Sequence, residues 1–134
     1  MISMKIKKDI LTKVIDHAKK GAPLEVCGYL AAQDHVIIKH YELTNIDQSE
    51  QHFSFDPKEQ FATLKDARRE GLQVAAVYHS HPISPARPSL EDIRLAYDPT
   101  ISYVIVSLAN NSSDVKSFKI KNSQVFSETV EILD

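Results

Sequence analysis

Two histidines, His79 and His81, stand two residues apart at the end of the apolar run Gln73-Val74-Ala75-Ala76-Val77-Tyr78. Along an extended strand side chains alternate between faces, so residues i and i+2 share one. Both imidazoles then point to the same side, where their nitrogens can converge on a metal ion. Two donors do not complete a zinc site, which needs a third and, for catalysis, an open position. Asp92 is the candidate third donor. It also has a purely structural use, because Ser89-Leu90-Glu91-Asp92 reads as a helix N-cap with its capping-box partner. Glu25 is the fourth polar candidate, set in Pro23-Leu24-Glu25-Val26-Cys27-Gly28-Tyr29-Leu30. A carboxylate entering so apolar a strand is costly to bury unless it is paired or needed. The alternative leaves it exposed at the strand mouth. Cys27 shares the face of Glu25 and reads best as a small buried hydrophobe. The other histidines, His17, His35, His40 and His52, stand alone among polar neighbours and read as solvent-facing.

The elements that must position these residues are well marked. Residues 4–6 suit a short strand. Ile10, Leu11, Val14, Ile15 and Ala18 recur at helical spacing up to Gly21, predicting an amphipathic helix. Residues 26–31 and 36–43 read as strands separated by a turn at Gln33-Asp34. A second helix opens with Asp56 as N-cap, Pro57 at the first helical position and Glu59 as capping-box partner, and Gly71 ends it. The strand 73–78 shows no polar alternation and reads as central, running directly into the two histidines. Residues 82–88 hold three prolines and are expected to be irregular. A short helix from Ser89 to about Tyr97, a strand at 101–108, a turn at 110–114 and strands at 115–121 and 124–132 complete the chain. Helices among some six strands predict a mixed α/β sandwich with a C-terminal hairpin.

Composition limits the function classes. The chain has 134 residues, 43% hydrophobic and 25% charged, the make-up of one ordinary globular domain over residues 1–134. Sixteen basic residues against eighteen acidic ones give a net charge of −2. That balance offers no excess positive charge to a nucleic-acid backbone or an anionic membrane. One cysteine excludes an internal disulfide and any zinc site built from several thiolates. Apolar runs are far shorter than the ~20 residues that span a bilayer. Charges interrupt the N-terminal stretch, so it does not read as a signal peptide, and the expected location is the cytoplasm.

Taken in order, Glu25, His79-Ser80-His81-Pro82, a seven-residue interval and Ser89-Leu90-Glu91-Asp92 resemble the signature of the JAMM (MPN-plus) metalloproteases. That signature is a glutamate, then His-[Ser/Thr]-His, then Ser-x-x-Asp. The flanks are similar too, in Pro23-x-Glu25-x-Cys27-Gly28-x-Leu30 and in Phe55-Asp56-Pro57, and the resemblance covers roughly residues 5–120. It implies an α/β fold, a mixed β-sheet flanked by helices of the JAMM/MPN, cytidine-deaminase-like kind. It implies one Zn²⁺ held by His79, His81 and Asp92 with water at the fourth position. Glu25 would then act as general base, and Ser89 would steady the carbonyl oxygen. The chain lacks room for long insertions, so it resembles the stand-alone prokaryotic type. Such members imply a peptidase or isopeptidase cutting after the C-terminal Gly-Gly of a ubiquitin-like or sulfur-carrier protein. The competing reading is a metal-free MPN scaffold that binds partners. Nucleobase deaminases need His-x-Glu and Pro-Cys-x-x-Cys, which a single cysteine excludes.

Overall fold

The computed structural model describes residues 3–134. Its elements run β1 (Ser3–Lys7), α1 (Lys8–Gly21), β2 (Cys27–Gln33), β3 (Val36–Leu43), α2 (Pro57–Arg69) and β4 (Gln73–His81). They continue with α3 (Leu90–Arg94), β5 (Ser102–Ser107), a 3₁₀ turn at Ala109–Asn111, β6 (Asp114–Lys121) and β7 (Gln124–Leu133). Of the domain expected over 1–134, residues 1 and 2 lie outside the described residues. No helix among the described residues is long and apolar enough to cross a membrane.

Helix α1 buries Ile10, Val14 and Ala18, one stripe at four-residue spacing. It ends with Lys19 and Lys20 in the last turn, where cations favour the carbonyl end of the helix. Helix α2 opens as expected at Asp56, whose carboxylate accepts the Lys58 N–H at 2.9 Å, with Pro57 following. The capping box expected at Glu59 does not form. Its carboxylate instead accepts the backbone N–H and hydroxyl of Thr44 at 2.7 and 2.8 Å, tying the helix to the end of β3. Gly71, at φ +74°, takes the left-handed position after the helix that a side chain disfavours.

The expected sandwich is in fact a closed barrel of strand order β1-β3-β2-β4-β5-β6-β7. Closure comes from β1, which lies parallel to both β3 and β7, pairing Ser3 with Thr129 and Lys7 with Leu133. Contacts between opposite ends of the chain leave no local sequence signal. The three helices lie against this barrel, so the flanking expected for a mixed sheet holds only loosely. Strands β2 and β4 are antiparallel and place Cys27 opposite His79. Strands β4 and β5 are parallel, which forces a long crossover. Residues 82–101, with their prolines and α3, are that crossover.

Faces sort by parity. Tyr78, Val104 and Val106 join Leu30, Ile6, Ile37 and the stripe of α1 in one buried cluster. Gly28 is required there, because a Cβ on it would lie 2.4 Å from the Tyr78 ring and 2.2 Å from the Tyr41 carbonyl oxygen. On the opposite face, Ile105, Phe118 and Ile120 pack under the crossover with Ala86 and Ile93. Cys27, Tyr29 and Leu43 pack with Phe53 and Phe55 from the segment between β3 and α2. Within β4, His79 and His81 alternate with Tyr78 and so lie on this second face, between those two coverings.

Candidate metal centre

Strand β4 runs on through His81, so both histidines hang from regular, paired backbone beside Ile105 and Ser107 of β5. Each is 5% exposed. The residue between them, Ser80, faces the other way. Its hydroxyl accepts the Val26 N–H at 2.8 Å and its own N–H donates to the Val26 carbonyl at 3.0 Å. This pair of bonds fastens the end of β4 to the residue that follows Glu25.

Asp92 arrives from the first turn of α3. The capping box is complete: the Asp92 N–H donates to Ser89 Oγ at 3.0 Å and the Ser89 N–H donates to Asp92 Oδ2 at 2.9 Å. The same Oδ2 lies 3.2 Å from Nε2 of His79 and 3.2 Å from Nε2 of His81, which are 3.1 Å apart. Cap and cluster therefore use one carboxylate. Among the described residues, these three form the group of donors close enough to share one metal ion.

The triangle fits a small tetrahedral cation. Bonds of about 2.0–2.1 Å to nitrogen and oxygen put ligand atoms about 3.3 Å apart on a tetrahedron. The donor set, two imidazoles and a carboxylate, suits zinc and leaves a fourth position open. His81 Nδ1 lies 2.8 Å from the Pro85 carbonyl oxygen. A carbonyl only accepts, so Nδ1 carries a hydrogen. In neutral His81, Nε2 then keeps its lone pair for a metal, whereas in the metal-free cluster a proton on Nε2 bonds to Asp92. Phe53 stacks on the His79 ring with centroids 4.7 Å apart and planes at 29°. Burial alone would raise the Asp92 carboxyl, but hydrogen bonds from His79, His81 and the Ser89 N–H hold it well below the usual carboxylate range. Burial pulls His81 down, and its bonds to Asp92 and the Pro85 carbonyl outweigh that and raise it.

Glu25 is buried at 5% exposure, not open to solvent at the strand mouth. Its Oε1 is buried without any hydrogen-bond partner. Burial pushes its carboxyl up to about 8, opposed by the charge of His81 and assisted by those of Asp92 and Glu91. An orphaned carboxyl oxygen in a closed interior is unfavourable unless something else occupies its direction. This placement has a consequence for stability. Between its ordinary value of 4.5 and about 8, the folded metal-free chain keeps a proton that the unfolded chain releases. The free energy of unfolding contributed by this group therefore falls as pH rises through that window. Melting temperatures of metal-free wild type and Glu25→Gln, taken from pH 4 to 8.5, should diverge in favour of the variant as pH rises. An advantage of the variant that shrank with pH would contradict this.

Cys27 does not reach the cluster. Its Sγ points to the Leu43 carbonyl oxygen at 3.8 Å and burial pushes the thiol up to about 12, as befits an inert apolar filler. His35 and His52 are exposed as expected. His17 and His40 are half-buried instead, His17 through a 2.7 Å bond between Nδ1 and the Tyr78 hydroxyl. Sequence reasoning missed the segment 44–54, which carries Phe53 to His79 and holds the Glu25 backbone through Asn45 and Ser49. Its only local signal was turn chemistry at Asn45-Ile46-Asp47, which says nothing of what it touches. A groove of about 390 Å³ adjoins His79 and Asp92 and is lined also by Phe53, Phe55, Leu95 and Tyr97.

Residues 7–121 match the family described as prokaryotic homologs of the JAB domain, and the chain belongs to that family. It is 28% identical over 132 residues to the CysO-cysteine peptidase of Mycobacterium tuberculosis, covering 96% of this chain and 90% of that protein. A solution structure of a protein from Desulfitobacterium hafniense is 40% identical, with TM-score 0.88, over 100% of this chain and 94% of the other. A JAB1/MPN domain protein from Archaeoglobus fulgidus shares the fold, with TM-score 0.69 at 22% identity over 99% of this chain and 100% of that one.

Proposed function

We propose that the chain is a single-domain, zinc-dependent peptidase or isopeptidase that cuts after the C-terminal Gly-Gly of a ubiquitin-like or sulfur-carrier protein. Its relatives named as peptidases and desampylases, the CysO-cysteine peptidase of Mycobacterium tuberculosis and the desampylase of Pyrococcus furiosus among them, make it a hydrolase. The observation that carries the chemistry is Glu25, a buried carboxyl with an unpartnered oxygen, within the electrostatic reach of His81 and Asp92. His79, His81 and Asp92 would hold the zinc, and when bound it would polarise the scissile carbonyl and acidify water.

The chain's own residues do the rest. Glu25 takes a proton from the attacking water as its oxygen bonds to the carbonyl carbon. The carbon–nitrogen bond then breaks, and Glu25 passes the proton to the leaving amine. Burial raises that carboxyl from its ordinary value toward the range in which one group can both accept and return a proton. Ser89 is exposed, and its hydroxyl oxygen accepts the Asp92 N–H through a lone pair. Its O–H remains to donate to the carbonyl oxygen as negative charge develops there. Capping and catalysis thus draw on different parts of one hydroxyl.

The substrate class is supported by the mycobacterial relative, whose name assigns it a CysO-cysteine conjugate. The groove beside His79, lined by Phe53, Phe55, Leu95 and Tyr97, gives an extended tail a surface to lie on next to the donor cluster. A glycine pair can pass close to the donor cluster in conformations that a Cβ forbids. Incubation with a ubiquitin-like fusion ending its first domain in Gly-Gly tests this. Cleavage is expected after the glycine pair, to be abolished by a zinc chelator and by changing the tail glycines to alanine. Equal cutting of generic unfolded protein would refute the substrate class, and zinc-free active protein would refute the chemistry.

A further inference from the structure

We propose that Asn45 is a positioning residue for the reaction, fixing the backbone from which Glu25 projects. This rests on Glu25 being the proton acceptor. Strand β2 begins at Cys27, so Glu25 lies before the sheet ladder begins. Its backbone bonds go instead to the segment between β3 and α2. The Glu25 N–H donates to the Ser49 carbonyl at 2.8 Å, and its carbonyl accepts from Asn45 Nδ2 at 3.0 Å. With Oε1 unpartnered, no hydrogen bond aims that oxygen. Its position is inherited from the main chain.

The Asn45 carboxamide is fully used. Its second N–H donates to the His52 carbonyl at 3.0 Å, while Oδ1 accepts the N–H groups of Asp47 at 3.1 Å and Ser54 at 3.3 Å. Two donors and two acceptor sites are the whole capacity of an asparagine. A β-bridge between Asn45 and Phe55 closes the base of the same segment. One side chain therefore holds the general base and also the loop whose Phe53 lies on the His79 ring. Aspartate at 45 would keep both acceptors, and so the loop's internal bonds to Asp47 and Ser54, but would lose both donors. That difference separates positioning from loop folding.

The test uses Asn45→Asp, Glu25→Gln and their double variant in the full chain, with cleavage kinetics, zinc content and melting temperature read on each. Asn45→Asp is expected to lower kcat by roughly 10- to 100-fold, with KM within about twofold and zinc unchanged, as for a slightly misplaced catalytic group. The double variant should be no slower than Glu25→Gln alone, because Asn45 acts through that carboxylate. His52→Ala removes a 3.0 Å side-chain contact to Asp47 but leaves the carbonyl that Asn45 uses, and should retain wild-type kcat. Asn45→Ser, small and uncharged, is the second variant. Wild-type kcat with zinc bound in either Asn45 variant, or multiplicative losses in the double variant, would overturn the proposal. Failure of both to fold would overturn it too, by reducing Asn45 to a stability residue. Full activity in Glu25→Gln would instead remove the reading on which it rests.

Discussion

Changing His79 and His81 together to alanine is expected to abolish stoichiometric zinc and, with it, all measurable cleavage. The two Nε2 atoms and Asp92 Oδ2 form a near-equilateral triangle of 3.1–3.2 Å edges. Without the imidazoles a single carboxylate is left, and Ser89 already holds it. Asp92→Ala should weaken zinc less completely, since both histidines stay fixed on β4. It would also remove the reciprocal half of the capping box, the bond from the Ser89 N–H, while Ser89 still caps α3, so melting must be measured beside metal content. Zinc needs imidazole lone pairs, so protons compete for the same site. Acidification that protonates the ligands should therefore release the metal. Metal analysis after dialysis at graded pH gives the curve. Stoichiometric zinc of unchanged affinity in His79→Ala/His81→Ala would show that the ligands lie elsewhere.

What was legible in the sequence was local or periodic. His79 and His81 share a face because a strand repeats every two residues, and a paired strand does carry them. Ser89 and Asp92 lie one helical turn apart, so their mutual capping is written in four residues. Asp56 and Pro57 start α2 for equally local reasons. Where partners lie far apart along the chain, residue type alone underdetermines the outcome. Glu59 had a capping role available nearby and took Thr44 instead, fifteen residues away. Barrel closure joins Ser3 to Thr129, and no pattern within either strand encodes which edge it will meet. Asn45 is the sharpest case. An asparagine in a polar stretch reads as a turn former, and it does accept the Asp47 N–H in that role. Its contact with Glu25, twenty residues earlier, exists only because β2 and β3 fold back as a hairpin.

Glu25→Gln should keep zinc and lose turnover by roughly 10²–10⁴, the usual worth of a positioned general base. The two side chains have the same shape, and Glu25 is not one of the three donors that converge on the metal. An amide cannot accept the proton that attacking water must shed, so the loss falls on kcat more than on KM. The buried site tolerates the change well, because the neutral amide carries no charge to desolvate, whereas the native carboxyl is raised to about 8 by burial. A variant that is less active with zinc bound yet at least as stable near pH 8 with zinc removed is the combined signature expected. Ser89→Ala gives the contrasting pattern. It too should retain zinc and lose about 10²-fold in rate, as for one lost oxyanion donor. Unlike Glu25→Gln it should melt earlier, since its Oγ caps the Asp92 N–H. Measuring zinc, melting temperature and kcat on both variants separates the proton carrier from the hydroxyl that also holds a helix. Full turnover in Glu25→Gln with zinc bound would mean that another group takes the proton. The other carboxylate of the site, the partly buried Asp92, is already engaged by both histidines and held far below the range a base requires.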